Sequence, residues 1–336
     1  MIENTNLVII NNEKVFKDSN GYHCENFDLK FLPEVLSINF NVGFIARRAT
    51  KKGEQKIDLS NIKVASNILT YLYLIFRSFK KKSKYLIISI TPYTFFSCLF
   101  LFICRKKVYL YLRSDGHDEW KYILGKWSVC IFHIMFKICV SLSEVIVCNR
   151  RISKKGHLIS ISRLDEKWFK EQKEANLKKI KFLYVGRMSP EKGIFDFINM
   201  FNKLDFEAEL SIAGYPKNSS TVDKRVKFLG YFSNPELLMN VYDDHNITIL
   251  PSYTEGYPYV IDESLSRRRP VIIFDEISYV KNDKKGIFVA KRNYISLKEK
   301  VDYIWKNYTK IQKEIDENKL PTKKSMIRQI SNIIKN

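Results

Sequence analysis

The chain has 336 residues, of which 57 are Lys or Arg and 36 are Asp or Glu, so its formal net charge is +21. Its contents of apolar residues (45%) and aromatic residues (14%) exclude an intrinsically disordered chain, and its length is sufficient for two domains. The six cysteines show neither a Cys-x-x-Cys pair nor a metal-ligand spacing, which is typical of a protein with reduced thiols.

The basic excess predicts attraction to a polyanion. No zinc-ligand or RNA-binding motif accompanies it, which argues against nucleic acid as the partner. Several Lys and Arg clusters adjoin strongly apolar segments, which favours an anionic membrane surface, whereas a composition rich in solvated lysines is the alternative. The first residues lack the basic and apolar regions of a signal peptide, so we expect a cytoplasmic protein that is peripheral on the inner face of the membrane.

The first half of the chain alternates between strand and helix patterns, with a polar loop predicted over residues 11–25. The predicted strands are 7–10, 42–46, 85–90, 108–112 and 144–148, and the predicted helices are 62–79 and about 120–141. This alternation predicts a parallel sheet covered by helices.

Residues 85–104 carry no charge and are numerous enough for a transmembrane helix. Thr91 and Pro92 interrupt the stretch. The residues before them are rich in β-branched side chains, and those after them fit one buried helix, so we predict a strand, a turn and a core helix. The apolar segment 126–142 is likewise predicted to be a core helix, and one of its faces is a candidate for contact with lipid or a lipid-linked acceptor.

In the second half, a strand at 181–185 runs into the sequence GRMSPEKG at residues 186–193 and then into an amphipathic helix. Gly186 permits a sharp turn of the backbone. Arg187 and Lys192 flank this turn, and a planar guanidinium and a compact ammonium often share one diphosphate. The sequence therefore predicts an anion site at the end of this strand.

A second turn follows the apolar run at 247–250 and has the sequence PSYTEGYPYVIDE at residues 251–263. Its Gly-Tyr-Pro step starts a helix, whose first backbone N–H groups favour a phosphate. Glu255 lies in the turn and Glu263 in the second helical turn, so both carboxylates are predicted to face one ligand. Because carboxylates accept hydrogen bonds from sugar hydroxyls, the combination predicts a nucleotide-sugar site.

The two motifs, Gly-Arg-x4-Lys-Gly and Pro-Ser-x2-Glu-Gly-x-Pro-x4-Glu, resemble the C-terminal half of the retaining GT-B glycosyltransferases of family 4. The resemblance covers about residues 178–290, and the segments between the motifs follow in the family's order: IAG at 212–214, VKFLG at 226–230, PELL at 235–238 and PVI at 270–272. It implies an α/β protein of the GT-B fold, with two Rossmann-like domains and an interdomain cleft.

From this resemblance we assign residues 1–170 to an acceptor-binding domain and 171–318 to a domain that binds the nucleotide-sugar donor. Residues 319–336 are assigned to a C-terminal helix that packs back on the first domain.

The resemblance also implies which residues bind the donor diphosphate. Arg187 and Lys192, beside Gly186, are expected to stabilise the charge that develops on the leaving group. Gly256 and Tyr257 are expected to offer backbone amides to the phosphates. A basic surface loop is the alternative interpretation of the first motif.

Each glutamate is expected to contact a different part of the donor. Glu263 is assigned to the ribose hydroxyls. Glu255 is assigned to the transferred sugar, near its ring hydroxyls or its reacting carbon, as a catalytic residue. The alternatives are an acid in an early helical turn for Glu263 and a carboxylate that bonds the turn backbone for Glu255. Gly21 and Tyr22 are candidates for a flexible first loop that closes on the donor.

A third candidate site follows the strand at 108–112, where the sequence is RSDGHDEW at residues 113–120. In many family members a His-Gly pair follows this strand, and the histidine faces the acceptor and the donor sugar. Here Asp115 precedes Gly116, and His117 comes two residues later. Either Asp115 or His117 is expected to be the catalytic residue of the acceptor site, and the alternative is a polar turn in which the aspartate caps the next helix.

The chain departs from the family pattern at two further positions. Arg163 replaces a glycine near the end of the first domain. The charged residues 166–181 that follow are interpreted as a solvated linker. Arg268 takes the place of a helix-terminating glycine, where a left-handed residue costs on the order of 1 kcal/mol. The run of arginines at 267–269 is expected to reach lipid phosphates or to place positive charge at the helix end.

These features predict a retaining glycosyltransferase, of the hexosyltransferase or a related type, that moves a sugar from a nucleotide-diphosphate sugar such as a UDP- or GDP-sugar to an acceptor hydroxyl, as in bacterial polysaccharide biosynthesis. The acceptor is expected to be a lipid-linked or surface glycan. The sequence lacks an Asp-x-Asp motif, so neither a metal nor another cofactor is expected. A GT-B sugar-nucleotide epimerase or phosphorylase stays open as an alternative, as does a non-catalytic membrane- or partner-binding subunit of the same fold.

Overall fold

A computed structural model describes residues 5–25, 27–80, 82–214 and 223–336. The chain divides into two compact units, the first made of Met1–Ser160 with Ser325–Asn336 and the second of Ile161–Lys324. Each unit contains a largely parallel sheet with helices against it. The assignment of acceptor and donor roles to two domains stays a prediction.

The sheet of the first unit has the parallel order β5-β3-β1-β6-β7-β8-β9, and an antiparallel ribbon of β2 and β4 extends from β1. Its central strands are apolar on both faces, as expected for a parallel sheet that helices cover. The strands are β1 (Asn6–Asp18), β2 (Gly21–Cys24), β3 (Asn41–Arg48), β4 (Gln55–Ile57), β5 (Ile62–Ala65), β6 (Lys84–Ile88), β7 (Val108–Leu112), β8 (Glu144–Val147) and β9 (His157–Leu158).

The helices that precede the second unit are α1 (Phe27–Leu36), α2 (Ile68–Phe76), α3 (Pro92–Ile103), α4 (Gly116–Leu124) and α5 (Ser128–Leu142). Helix α3 packs against β1, β6 and β7 and lies between α2 and α5, while α4 packs on α5. Helices α2, α3 and α5 therefore form one layer, with α4 packed on α5.

Three predicted elements of this unit were wrong. The predicted loop at 11–25 is the end of β1, a two-residue turn and β2, so Gly21 (φ 121°) and Tyr22 lie in a hairpin. The predicted helix at 62–79 is β5 followed by α2, because the Asn67 side chain accepts a hydrogen bond from the Thr70 N–H (2.9 Å) and starts the helix there. The predicted helix at 120–141 is α4 and α5, which are separated at Gly125 (φ 92°).

The uncharged stretch at 85–104 forms a strand, a turn and a helix, as predicted. The Thr91 side chain caps α3, and Thr94 returns a hydrogen bond to the Thr91 backbone (2.8 Å). Within the described ranges, the chain has no helix whose length and apolar character would allow it to cross a membrane.

The second unit has a parallel sheet of order β12-β11-β10-β13-β14-β15. Its strands are β10 (Ile180–Val185), β11 (Ala208–Ala213), β12 (Val226–Gly230), β13 (Ile247–Leu250), β14 (Val271–Phe274) and β15 (Ile287–Ala290). Its helices are α6 (Ile194–Phe201), α7 (Pro235–Asp243), α8 (Tyr259–Ser266), α9 (Tyr294–Lys306) and α10 (Tyr308–Asp316), with 3₁₀ turns at Glu166–Phe169, Pro190–Lys192 and Asp275–Val280.

The last helix, α11 (Lys323–Lys335), returns to the first unit, which contains its residues from Ser325 onward. The Tyr109 hydroxyl on β7 donates to the Ile334 carbonyl (3.2 Å), and the Asn39 amide donates to the Ser331 hydroxyl (3.0 Å). Met326, Ile330 and Ile334 are buried. A segment distant in sequence thus completes the core of the first unit.

Candidate active site

The two sequence motifs lie at the ends of β10 and β13, which are neighbouring parallel strands. The chain leaves β10 toward β11 on one side of this pair and leaves β13 toward β14 on the other. In open α/β sheets, the carboxyl ends of strands at such a reversal of strand order are the usual place for a ligand. Both motifs therefore lie where this topology favours binding.

The turn after β10 is packed closely against the turn after β11. The Gly186 N–H donates to the Ala213 carbonyl (2.9 Å). A Cβ atom on Gly214 would lie 2.0 Å from the Gly186 carbonyl oxygen, a distance that no side chain permits. The glycine at 214 is therefore required by this close backbone approach.

The Arg187 backbone is held by a hydrogen bond, and its side chain is exposed to solvent. The Tyr184 hydroxyl donates to the Arg187 carbonyl (2.6 Å), while the Arg187 side chain is 72% exposed and its Nη2 lies 3.6 Å from Glu191 Oε1. Burial raises the pKa of Glu191, but the hydrogen bond from Ser189 and the nearby positive charges outweigh burial, so this pKa lies below its usual value. Glu191 is therefore a charged partner of Arg187.

The turn after β10 also touches the turn after β13. Gly193 has a left-handed backbone (φ 63°), and a Cβ atom there would lie 2.1 Å from the Pro251 carbonyl oxygen. The Tyr253 N–H donates to the Glu191 carbonyl (2.9 Å). Contacts between backbone atoms thus fix the relative positions of the two motifs.

Lys192 and Glu255 meet at this junction. Lys192 Nζ donates to Glu255 Oε1 over 2.7 Å, and the Ser252 hydroxyl donates to the same oxygen, also over 2.7 Å. Both side chains of the ion pair are largely buried, that of Glu255 more than that of Lys192. The structure therefore brings together two residues that the sequence analysis placed in one site.

Two residues that the sequence analysis missed hold the turn after β13. The Tyr279 hydroxyl donates to the Glu255 carbonyl (2.6 Å) and accepts from the Glu255 N–H (3.0 Å). The Arg292 guanidinium donates to the Pro251 carbonyl (2.9 Å) and stacks on the Tyr253 ring at 4.0 Å. Neither residue belongs to a sequence motif.

Helix α8 begins at Tyr259, directly after Gly256, Tyr257 and Pro258. The Tyr257 hydroxyl donates to Asp262 Oδ2 (2.6 Å), and Lys284 Nζ donates to Asp262 Oδ1 (2.5 Å). Lys284 thus neutralises an acid in the first helical turn, where a carboxylate would otherwise repel an anion. The roles of Gly256 and Tyr257 as phosphate ligands stay predictions.

Glu263 lies on α8 and is only 4% exposed. Its Oε2 accepts a hydrogen bond from the Tyr242 hydroxyl (2.9 Å). Burial raises the pKa of Glu263, and the positive charge of Arg163 is the largest influence that opposes this rise. Glu263 is therefore a buried acid whose charge depends on a nearby arginine.

Arg163, the residue that departs from the family pattern, lies beside this acid. Its guanidinium packs over the Tyr259 ring at 4.2 Å, in the first turn of α8. An arginine in place of glycine thus brings a positive charge close to the start of α8 and to Glu263.

The interpretation of the arginines at 267–269 as lipid ligands was wrong for two of them. Arg267 is buried, with Nη2 donating to Asp243 Oδ2 (2.6 Å) and Nη1 donating to the Trp168 carbonyl (3.0 Å). Arg269 is buried and donates to the carbonyls of His245 and Lys173 (each 2.8 Å).

Segment 166–181 is therefore not simply a solvated linker, because Trp168 is buried in it and Arg267 and Arg269 bond its backbone. Arg268 has φ 58°, the left-handed backbone expected at the position of the family's glycine. Its Nε lies 3.0 Å from Asp316 Oδ1.

In the first unit, Asp115 and His117 follow β7. The Asp115 side chain caps α4 by accepting from the His117 N–H (3.0 Å), and it lies 3.3 Å from His117 Nδ1. His117 Nε2 lies 3.1 Å from Nδ1 of His133, which the sequence analysis did not select as a site residue. Phe132 packs on His117 and leaves no room for a side chain at Gly116. The capping role of Asp115 is observed, and the catalytic roles of Asp115 and His117 stay predictions.

Comparison with known families matches residues 165–320 to the family described as glycosyl transferases group 1. We call this matched segment, residues 165–320, the group 1 domain. The matched segment contains both turns at the ends of β10 and β13, so the group 1 domain includes Lys192, Glu255 and Glu263.

Two curated bacterial proteins are similar to the chain. One is the capsular polysaccharide biosynthesis glycosyltransferase CapM of Staphylococcus aureus, 25% identical over 133 residues, which are 35% of each chain. The other is the putative teichuronic acid biosynthesis glycosyltransferase TuaC of Bacillus subtilis, 26% identical over 154 residues, which are 41% of this chain and 39% of the relative. The matches thus span little more than a third of these relatives.

Among solved structures, HepE of Anabaena in complex with UDP resembles the chain with a TM-score of 0.71, at 11% identity, over 98% of this chain and 99% of HepE. At this identity the likeness concerns the fold alone. The likeness to HepE confirms the predicted α/β fold of the GT-B type. The group 1 domain is one part of this fold.

The residues that the structure describes contain no group of three or more His, Cys, Asp or Glu side chains that could hold a metal ion. The basic side chains near the ends of β10 and β13 and the start of α8 include Arg187, Lys192 and Lys284 of the matched segment and Arg163, which directly precedes it.

Proposed function

We propose that the protein is a retaining glycosyltransferase that moves a sugar from a nucleotide-diphosphate sugar to an acceptor hydroxyl in bacterial surface polysaccharide assembly. The observation that carries this proposal is the 2.7 Å contact of Lys192 with Glu255 at the ends of β10 and β13. A cation and a carboxylate at one point suit a donor that has an anionic diphosphate next to a sugar with hydroxyls. Similarity to CapM and TuaC supports the pathway class.

In this proposal Arg187 and Lys192 bind the donor diphosphate, aided by the N-terminus of α8. Lys192 exchanges its bond to Glu255 for one to a phosphate oxygen, which leaves Glu255 to accept from a sugar hydroxyl. Glu263 accepts from the ribose hydroxyls, with Arg163 favouring its charged form. A UDP- or GDP-sugar is the expected donor, and the likeness to a UDP-bound protein supports a nucleotide diphosphate.

The reaction breaks the bond between the anomeric carbon and the diphosphate oxygen, and the sugar gains oxocarbenium character. The acceptor oxygen forms the new bond on the face that the diphosphate leaves, and the acceptor proton passes to the leaving phosphate oxygen. Arg187 and Lys192 stabilise the negative charge that develops on the diphosphate. Because these cations do the work of a divalent ion, we propose that turnover needs no metal.

The acceptor in this proposal is a lipid-linked or surface glycan, bound by the first unit near Asp115 or His117, and the protein is peripheral on a membrane. Asp115 and His117 are hydrogen-bonded at the end of β7, which gives the acceptor hydroxyl a polar partner.

Thermal unfolding with UDP, GDP, ADP and CMP in EDTA tests the donor site. A ligand that binds only the folded protein raises Tm by mass action. We expect one nucleoside diphosphate to raise Tm, Lys192→Ala and Glu263→Ala to abolish the rise, and the exposed-site variant Lys203→Ala to keep it. No rise with any nucleotide would favour a non-catalytic subunit of the same fold.

The stereochemistry of transfer is tested by NMR of the product. With the donor base known, matching NDP-sugars are offered with a membrane extract as acceptor, with and without EDTA. Retention requires the anomeric configuration of the product to equal that of the donor. An inverted product, or activity that EDTA removes, would contradict the proposed chemistry.

A further inference from the structure

Helices α2 and α3 each bury one side against the sheet and expose large apolar side chains on the other. On α2, Tyr71 and Ile75 are buried, whereas Leu69, Tyr73 and Phe76 are exposed. On α3, Phe96, Phe102 and Ile103 are exposed, and Ile103 reaches 76%. Surface helices of globular proteins normally present polar residues on the side that faces water.

The same feature continues on α4 and α5. Ile123 and Leu124 at the end of α4 are exposed, as are Trp127, Ile131 and Ile134 in the connection and on α5. Trp127 is 66% exposed. Because α3 lies between α2 and α5, and α4 packs on α5, these side chains belong to one helical layer. We call its exposed apolar side chains the outer apolar face.

The second unit lacks a comparable concentration in its described residues. Its exposed large apolar side chains include Phe195 on α6, Leu237 on α7 and Ile295 on α9, which lie on different helices. Single exposed apolar residues of this kind are normal on protein surfaces, whereas a contiguous patch usually indicates a binding surface.

Around α2 and α3, the charges that border the outer apolar face have one sign. Residues 60–114, which include α2 and α3, contain ten Lys or Arg and no Asp or Glu. Arg77 and Lys80 follow α2, Arg105 follows α3, and Lys126 lies between α4 and α5; all four are exposed. Helix ends favour basic residues, but the helix dipole does not account for the absence of acids along the whole segment.

We call the exposed residues Arg77, Lys80, Arg105 and Lys126 the basic margin. We infer that the outer apolar face and this basic margin together dock the first unit on an anionic lipid bilayer. A bilayer surface offers negative headgroups to the Lys and Arg residues and an apolar interior to the aromatic and aliphatic side chains. A second copy of this chain would bring like charges together, which disfavours it as the occupant. This inference places a membrane contact that the proposed function assumes without locating. It depends on the proposed function only for the statement that the acceptor lies close to a membrane.

Vesicle sedimentation of the full chain tests this inference without a sugar donor, so failure of the transferase reaction would not affect the result. We expect at least about tenfold stronger partition onto vesicles of three parts phosphatidylcholine and one part phosphatidylglycerol than onto pure phosphatidylcholine, with a decrease as salt increases. Equal partition onto both vesicles would overturn the role of the basic margin.

Substitutions in the outer apolar face test its location. Ile123→Glu and Ile103→Glu are each expected to weaken partition at least about tenfold, because each removes apolar contact and adds repulsion. The matched variants Leu237→Glu and Ile295→Glu add the same charge at exposed apolar positions of the second unit and are expected to change partition less than about twofold. Equal effects in both sets would show that net charge, not this face, determines binding.

Two measurements keep the test independent of mutant folding. Lipids brominated near the headgroup are expected to quench wild-type tryptophan fluorescence, and Trp127→Phe is expected to remove most of the quenching. Sedimentation velocity examines the alternative occupant. A wild-type dimer that Ile123→Glu dissociates, with neither protein bound to vesicles, would assign the face to self-association and overturn the proposal.

Discussion

The ammonium of Lys192 and the carboxylate of Glu255 lie 2.7 Å apart although 63 positions separate the residues in sequence. Lys192 follows β10 and Glu255 follows β13, and the Ser252 hydroxyl also donates to Glu255 Oε1. A donor that binds both residues must therefore break an existing ion pair. We expect nucleotide affinity to depend on this pair as well as on the new contacts.

Lys192→Ala is predicted to reduce turnover about 10²–10³-fold, because it removes charge stabilisation of the leaving group. The free energy of unfolding should fall by about 1–2 kcal/mol, between the values for exposed and fully buried ion pairs, since Ser252 still bonds Glu255. Urea unfolding of Lys192→Ala, Glu255→Gln and the double variant measures the coupling. Strictly additive effects would mean that the pair does not form in solution.

Tyr279→Phe is predicted to cost about 1–3 kcal/mol of stability, because the backbone N–H and carbonyl of Glu255 both lose their hydroxyl partner. Turnover should fall as the Glu255 turn loosens, while binding of the nucleotide alone changes less. Tyr253→Phe is the matched control, since its hydroxyl bonds Asp196 at an exposed position. If both variants lose stability equally, the bridge to Glu255 has no special role.

Glu263→Gln is predicted to remove a pH dependence of stability. Burial raises the pKa of Glu263 in the folded state, so folding favours the protonated carboxyl. The contribution of Glu263 to stability therefore falls as the pH rises from the ordinary glutamate pKa through the raised pKa of the folded state. The Tm difference between Glu263→Gln and wild type should therefore grow in favour of the variant across this window and stay constant above it.

The amide retains an acceptor for the Tyr242 hydroxyl, so this variant should fold normally. Glu299→Gln, at an exposed position of α9, is the control. A Tm difference that does not change with pH would show that the Glu263 pKa is equal in the folded and unfolded states.

Substitutions of the neighbouring residues Arg267 and Arg268 are predicted to change the stability of the fold in opposite directions. Arg267→Met leaves the Asp243 carboxylate buried without its principal partner and should cost about 3–5 kcal/mol. Arg268→Gly relieves a left-handed backbone and loses ion pairs with two exposed acids, Glu174 and Asp316, so it should stabilise the fold by up to about 1 kcal/mol. Chemical denaturation of both variants measures the difference, and destabilisation by Arg268→Gly would contradict the interpretation.

Local sequence patterns were sufficient for much of the group 1 domain. The two turns were predictable because glycines and a proline follow short apolar runs, and the structure puts both turns at strand ends. The left-handed Arg268 was predictable because it occupies a helix-terminating position. In each case the relevant interactions lie within a few residues in sequence.

Other features depend on residues that are distant in sequence. Arg267 and Arg269 resemble a surface cluster until Asp243 and the carbonyls of Trp168 and Lys173 are seen to surround them. Tyr279 acquires its role only where its segment folds back onto the Glu255 turn. The continuation of β1 to Asp18 was missed because polar residues interrupt the apolar alternation, although Val15 is buried.

The return of α11 to the first unit has a consequence for biosynthesis. Residues 325–335 bond Tyr109 and Asn39 and place Ile334 in the core, yet the ribosome makes them after the whole of the second unit. The second unit can complete its sheet while this segment is still in the exit tunnel, whereas the first unit, although synthesised earlier, must wait for it. We therefore expect the nascent chain to finish its second unit before its first, against the usual N-terminal-first order of cotranslational folding.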